Sequence, residues 1–364
     1  MTNNELNLEN NDVLDAKLLS HNQSIRVFVV ISIGILLILT TGYLATVVIK
    51  ENPFGPRPSD FALEYQEDYS TLIQGDDLDL DGEGVRVCIV DSGIDTSHSD
   101  LKDINLVAWR DFIQEQPEPY DDQGHGTSMA GILVADGWIK GIAPAVELIV
   151  AKALSSDGSG DDGIVADAID WCVEQNAQII SLSLGGAPGI IPFNPFAGDD
   201  SGDAASDAIE QGIVVIAAAG NDGGENDDGD VAHPSSESEV ISVGGVTITG
   251  EHWIGSSTGD NNGNLIPLIL PRSDPNKKPE IVAPAEAVPV INNDGTWSIV
   301  DGTSAATVFV TGAIALLLEQ NPNLAANSSS GSSDTVLQIK QAIIDSSKPQ
   351  PNQNGHDDNY GYGL

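Results

Sequence analysis

The sequence predicts an α/β fold with a mainly parallel central sheet and helices on both faces, preceded by one membrane-spanning helix. Three observations carry this expectation. From Val85 onward, short apolar runs alternate with helical stretches, the pattern of strand–helix–strand units around a parallel sheet. Residues 304–318 are apolar on nearly every face, as befits a helix through the centre of a large domain. Val27–Ile49 runs without a charge between Arg26 and Lys50, long enough at about 1.5 Å per residue to cross a hydrocarbon core.

Taken in order, residues 1–26 are polar, Asn-rich and aperiodic, and are expected to be a disordered tail. Residues 27–49 read as an uncleaved transmembrane anchor, because a signal peptide has a shorter apolar region and a small-residue cleavage site. Residues 50–83, rich in Pro, Asp and Gly, read as a juxtamembrane linker. Asp77, Asp79, Asp81 and Gly82 imitate the start of an EF-hand loop, but the twelfth position is Cys88 and not Glu, which rules the motif out. One domain then fills residues 84–364. Val85–Val90, Leu148–Ala151, Ile179–Leu184, Ile213–Ala219 and Val240–Val246 are expected to be buried strands, and residues 161–175, 203–211, 304–318 and 335–346 helices. Residues 323–334, rich in Ser and Asn, read as a surface loop, and there are no internal repeats.

Composition bounds the partners. Fourteen Lys and Arg stand against 55 Asp and Glu in 364 residues, a formal net charge of −41. Such a field repels nucleic-acid phosphates and anionic lipid, so neither is an expected ligand of the soluble part. The surplus acid serves solubility in salty surroundings, or some acidic loops bind a cation, chiefly calcium. Cys88 and Cys172 lie in a strand pattern and a helical pattern without metal-ligand spacing, and read as two buried thiols.

In an open parallel sheet, ligands bind beyond the carboxyl ends of the strands. Val85–Val90 runs into Asp91-Ser92-Gly93, Ile179–Leu182 into Ser183-Leu184-Gly185-Gly186, and Ile213–Ala219 into Gly220-Asn221. Taken singly, Asp91 can be a turn residue, His125 in Gly124-His125-Gly126-Thr127 a packed histidine, and Ser304 in Gly302-Thr303-Ser304-Ala305-Ala306 a helix cap. Together they supply what nucleophilic hydrolysis needs. A serine hydroxyl attacks once a neutral imidazole removes its proton, a carboxylate fixes the imidazole tautomer, and a carboxamide such as Asn221 meets the oxyanion.

Ile89-Val90-Asp91-Ser92-Gly93-Ile94-Asp95, Asp122-Gln123-Gly124-His125-Gly126-Thr127 and the Ser304 segment resemble the three catalytic signatures of the subtilases, the subtilisin-like serine proteases of peptidase family S8. Ala218-Ala219-Gly220-Asn221 resembles that family's oxyanion segment. Gly141-Ile142-Ala143-Pro144, Ser181–Gly186 and Lys278-Pro279-Glu280-Ile281-Val282-Ala283-Pro284 also match, all in family order from about residue 84. The resemblance implies a subtilisin-like three-layer fold and a serine endopeptidase in which Asp91, His125, Ser304 and Asn221 carry the chemistry. It implies protein or peptide substrates held as an extended strand between Gly158-Ser159-Gly160 and Ser183-Leu184-Gly185. Ser183–Gly185 and Ala218-Ala219-Gly220 would wall the pocket for the residue before the scissile bond. No cofactor is required for the chemistry, and structural calcium is compatible with the family. Lys17 and Arg26 before the anchor nearly balance Lys50 and Arg57 after it, so the charges do not set its orientation; the extracytoplasmic side is expected because a tethered protease is normally held away from the cytoplasm.

The chain departs from the family at several points. Val308 replaces a usual Pro, Ala305 a common Met and Ser128 a frequent His, none of which is expected to harm activity. The His125 helix reaches Gly141 without the Asn-containing loop that supplies a family calcium site, so Asp95, His98 and Asp100 are expected to be turn residues, with residues 222–230 the most acidic candidate loop. A prodomain of typical length does not fit between anchor and Asp91, so residues 51–84 either do a smaller version of its task or none is needed. Asn327-Ser328-Ser329 fits a glycosylation acceptor. Two rival readings stand beside the protease. Asp91-Ser92-Gly93 also fits an aspartic protease loop, which needs a second such carboxylate, and only one such tripeptide occurs. The other is a catalytically inactive, membrane-tethered peptide-binding pseudoprotease, and that class usually loses a triad member. A zinc hydrolase is excluded, as no His-Glu-x-x-His occurs among six histidines.

Overall fold

The computed structural model describes residues 3–51, 55–75, 78–185, 200–224, 229–265, 268–326 and 332–364. Two compact units divide it, Met1–Pro56 and Arg57–Leu364. The first is one helix, α1 (Asn3–Glu51). Its His21–Thr46 stretch is long and apolar enough to cross a membrane. Apolar side chains such as Phe28 and Ile38 are 73% and 72% exposed. Residues 3–26, expected to be a disordered tail, continue this helix. Once the apolar stretch is helical, good formers such as Leu14, Ala16, Lys17 and Leu18 extend it without a new nucleation cost.

In the second unit the described strands are β1 (Arg86–Asp91), β2 (Leu106–Asp111), β3 (Glu147–Lys152), β4 (Ile179–Leu182), β5 (Val214–Ala218), β6 (Ile241–Val246), the small pair β7 (Asn264–Leu265) and β8 (Leu268–Ile269), then β9 (Ile281–Pro284), β10 (Val288–Ile291) and β11 (Trp297–Val300). The helices are α2 (Asp60–Ile73), α3 (His125–Val134), α4 (Asp162–Glu174), α5 (Asp200–Glu210), α6 (Thr303–Gln320) and α7 (Ser333–Ser346). Seven strands form the central sheet in the order β2-β3-β1-β4-β5-β6-β9. Every neighbouring pair in it is parallel.

Alternate residues of each strand feed two cores. Val87 and Ile89 join the core under α3 and α6. Cys88 and Val90 join the one under α4 and α5. Burial on both faces is why these strands read as continuous apolar runs. Edge strand β2 is buried only at Asp111 and carries Trp109 and Arg110, so no such run marks it. α6 runs unbroken through Val308, which is fully buried.

Two further expectations need correction. Cys88 and Cys172 are not free thiols: β1 packs against α4, and the two form a disulfide with Cα atoms 5.9 Å apart. Residues 50–83 are more than a linker, since they contain α2, capped by Ser59 accepting from the Ala62 amide at 3.1 Å. Tyr69 of α2 is buried and donates to the Glu286 carbonyl. Phe61, Tyr65 and Tyr69, spaced at i,i+4, form a ladder of ring contacts that ends on Phe309 of α6.

A buried ionic cluster ties β9 to α7. Glu280 accepts from Lys340 at 2.6 Å, from Lys278 at 3.0 Å and from the Ser242 amide at 2.7 Å. Burial pushes the Lys278 ammonium down to about 7.

Candidate active site

β1 lies between β3 and β4, so the strand order reverses there and a crevice opens beyond its carboxyl end. Asp91 closes β1 and is fully buried. Both of its oxygens face Nδ1 of His125, at 2.8 and 2.9 Å, and Oδ1 also accepts from the Ser92 amide at 2.7 Å. An imidazole held this way keeps its proton on Nδ1 and offers Nε2 as a base. Burial pulls the His125 pKa down, but the Asp91 charge and hydrogen bond outweigh it, and the net shift is upward. Asp91 thus meets an imidazole and not a second carboxylate, against the aspartic protease reading.

His125 is the first residue of α3, and its loop is organised by Asp121. That carboxylate accepts from Ser92 Oγ at 2.9 Å, from the amides of Gln123, Gly124 and Thr127 at 3.1, 2.7 and 2.9 Å, and from Thr127 Oγ1 at 2.6 Å. Burial raises its pKa, the bonds led by the Thr127 hydroxyl lower it, and the net shift is down. Buried Lys152, at the end of β3, donates to Ser92 O at 2.5 Å, to Asp122 at 2.7 Å and to Leu154 O at 2.9 Å, joining the Asp91 and His125 loops. Gly126 is required by close approach: a Cβ there would lie 2.2 Å from the Gly93 carbonyl oxygen. Neither Asp121 nor Lys152 stood out in the sequence, since their bonds to the Ser92 and Asp122 segments across the site appear only in the fold.

Ser304 is the second residue of α6, where the helix N-terminus favours developing negative charge. Its Oγ donates to the Ser183 carbonyl at 3.0 Å, and Ser183 Oγ donates back to the Ser304 carbonyl at 3.1 Å. Among the described hydrogen bonds none joins Ser304 to His125. Asn221 Oδ1 accepts from the amide and the hydroxyl of Thr303, each at 2.9 Å, so its Nδ2 amide remains to face the cleft. His125, Asn221 and Ser304 line one cavity of about 440 Å³. Thr303 as the holder of Asn221 was missed; its place beside Ser304 gave no sign of which carboxamide it reaches.

The expected peptide edges follow the strands flanking β1. Beyond β3, Gly158-Ser159-Gly160 sits in a turn closed on Asp157, whose Oδ1 accepts from Ser155 Oγ at 2.6 Å, Ser159 Oγ at 2.6 Å and the Ser159 amide at 3.1 Å. The two hydroxyls hold that exposed carboxyl at about 2. Beyond β4, Ser183 is buried, Leu184 half-buried and Gly185 exposed, while Gly186 lies outside the described residues. Ala218 and Ala219 are buried at the end of β5, and Gly220 is half-buried. Ala232 lies between the two walls, its methyl 2.8 Å from where a Cβ on Gly185 would stand and 3.2 Å from one on Gly220.

Asp95, His98 and Asp100 serve turns. Asp95 accepts from the Ser97 amide at 2.9 Å, His98 Nδ1 from the Asp100 amide at 3.0 Å, and Asp100 from Trp297 Nε1 at 2.8 Å and the Ile139 amide at 3.0 Å. Among the described residues no three His, Cys, Asp or Glu side chains are grouped to hold a metal ion. Residues 225–228 of the acidic candidate loop and the Asn327 acceptor lie outside the described residues. Ser128, where a His is frequent, donates to the Ile291 carbonyl at 2.8 Å.

Several known proteins are similar to this chain. The chain is 32% identical over 245 residues to subtilisin E of Bacillus subtilis (strain 168), covering 66% of this chain and 57% of that protein. It is 32% identical over 245 residues to a subtilisin of Bacillus pumilus, covering 66% of this chain and 79% of that one. The same identity over 245 residues relates it to the major intracellular serine protease of B. subtilis, covering 65% and 69%. The crystal structure of a cold adapted subtilisin-like serine proteinase superposes with a TM-score of 0.61 at 24% identity, over 79% of this chain and 92% of that chain, and shares the fold. The sequence model of the subtilase family matches residues 82–363, nearly the whole of the unit that carries Asp91, His125 and Ser304, and the chain therefore belongs to the subtilase family.

Proposed function

We propose that the protein is a serine endopeptidase tethered to a membrane, with Asp91, His125 and Ser304 as its triad. The observation that carries this reading is the two-oxygen contact of buried Asp91 with His125 Nδ1, in a cleft shared with Ser304 and Asn221. Ser304 turns from the Ser183 carbonyl to His125 Nε2, loses its proton there and attacks the peptide carbonyl. The oxyanion takes the Asn221 Nδ2 amide and the Ser304 backbone N–H, both fixed before substrate arrives. His125 then hands its proton to the departing amine, and water, activated by the same base, releases the acyl group. A peptide pairs as an extended strand with Gly158–Gly160 and Ser183–Gly185, its last acyl-side residue entering between Ser183–Gly185 and Ala218–Gly220 over Ala232.

Residues 27–49 would be the anchor and residues from about 84 the peptidase domain, with α2 packed onto it. Extracytoplasmic placement is supported by the Cys88–Cys172 disulfide, since such bonds persist in oxidising compartments. No cofactor is needed for the chemistry.

The test is labelling of the detergent-solubilised full chain with a tagged fluorophosphonate, beside Ser304→Ala. Wild type alone should label, and Ser304→Ala should lose essentially all peptide hydrolysis. Retained turnover in Ser304→Ala sinks the assignment. A folded wild type that binds peptide without labelling supports an inactive peptide-binding module instead.

A further inference from the structure

The cavity beside Ser304 has two sides. His125, Asn221, Ser304 and Ala305 form one, and the β10–β11 hairpin forms the other through Asn292–Asp294, Val300 and Asp301. Its wall includes none of the residues assigned above to the peptide edges. Ser304 Oγ meanwhile rests on Ser183 O. The acyl side of a substrate therefore lies toward β4, and this cavity lies on the leaving-group side, next to the imidazole that must protonate the amine.

The hairpin is fixed to the loop of His125. Asn293 Nδ2 donates to the Asp121 carbonyl at 3.0 Å, and the Asn292 amide donates to the Thr296 carbonyl across the turn at 2.9 Å. The wall is thus organised before a substrate arrives. Its ionisable groups besides His125 are Asp294 and Asp301, and no lysine or arginine lines it. Among the described residues neither carboxylate is in an ion pair. The Thr296 hydroxyl and amide hold the Asp294 carboxyl below the usual carboxylate range, so it is ionised. Asp301 Oδ1 accepts from the Ala287 amide at 2.7 Å, which fixes the carboxylate one residue before Gly302.

We propose that Asp294 and Asp301 make this pocket select substrates with lysine or arginine directly after the scissile bond. The inference rests on the endopeptidase reading above and adds a specificity that the triad itself does not determine. A cationic side chain entering the concave wall meets two fixed anionic acceptors, while an acidic one meets repulsion from both and no lysine or arginine.

The experiment assays the detergent-solubilised full chain on internally quenched peptides that differ only in the residue after the cleaved bond: Lys, Arg, Gln, Leu or Glu. Mass spectrometry of the products verifies the bond cut. At low ionic strength kcat/KM for Lys over Gln should be about fivefold to tenfold, equal to about 1–1.4 kcal/mol. Glu should fall below Gln, and the spread should shrink as salt rises. Asp294→Asn with Asp301→Asn keeps the shape and the hydrogen-bond acceptors and should bring the Lys-to-Gln ratio near one. Asp345→Asn, at an exposed position of α7, should leave the ratio as in wild type. A wild-type ratio near one, or a preference retained by the double variant, overturns the inference while fluorophosphonate labelling still upholds the protease. A protein that neither labels nor cleaves any peptide overturns the proposed function, and the inference with it.

Discussion

Thr303→Val isolates one hydroxyl. Thr303 is fully buried. Its amide and hydroxyl each lie 2.9 Å from Asn221 Oδ1, and the hydroxyl also accepts from the Gly220 amide at 3.2 Å. Valine keeps the shape and the backbone contact and deletes the hydroxyl. In subtilisin, a relative, a side-chain oxyanion donor is known to be worth about a hundredfold to a thousandfold in kcat, which sets a ceiling. With one of the two anchors of Asn221 left, kcat should fall about tenfold, or about 1.4 kcal/mol. KM should change little, because the oxyanion exists only in the transition state. The Gly220 N–H loses an acceptor, which should cost about 1 kcal/mol of stability in urea unfolding. Steady-state kinetics on one quenched peptide, for wild type, Thr303→Val, Asn221→Ala and the double variant, decides the route. If Thr303 acts through Asn221, its replacement costs less than about threefold once Asn221 is alanine. A full tenfold loss in that background would refute the reasoning.

Three further outcomes follow from the same geometry. The raised His125 pKa places the acid limb of kcat/KM above about 6.5. The proton is bound more tightly in the folded state, so its stabilisation is complete below about 6.5 and is lost as pH rises through the folded value, while activity appears over that same window. A pH–rate inflection at or below 6.5, or one that Asp91→Asn fails to lower, contradicts this. Gly126→Ala forces a methyl to within 2.2 Å of Gly93 O and should displace His125, with a loss of about a hundredfold in kcat/KM on protein that circular dichroism shows to be folded. Replacing Cys88 and Cys172 by serine should lower stability by about 2–4 kcal/mol in urea unfolding without reductant. An unchanged midpoint would show that the pair is not bonded in the folded protein.

What could be read in the chain divides along physical lines. Strands β1, β3, β4, β5 and β6 are buried on both faces, so each announces itself as an apolar run, and α6 does so as an apolar helix. Half-exposed β2, the four-residue strands of the β10–β11 hairpin and acidic α2 carry no such signal. The hairpin's Asn-Asp-Gly turn, with Gly295 at φ +78°, was the available clue. For α2 it was the Phe61, Tyr65, Tyr69 spacing behind Ser59.

The candidate chemistry was legible because Asp91, His125, Asn221 and Ser304 sit in short local motifs at strand ends and helix starts, where backbone geometry follows from a few neighbouring residues. Sequence by itself therefore determined the fold class, the triad candidates and the long apolar helix. Tertiary structure decided the rest. It paired Cys88 with Cys172 across 84 positions, gave Thr303 the task of turning Asn221, and placed Asp121 and Lys152 behind His125. It also set Asp294 and Asp301 in the wall beyond Ser304. The disulfide and the Thr303–Asn221 and Lys152–Asp122 contacts join residues far apart in the chain, and only the packing of the sheet against its helices brings them within bonding distance.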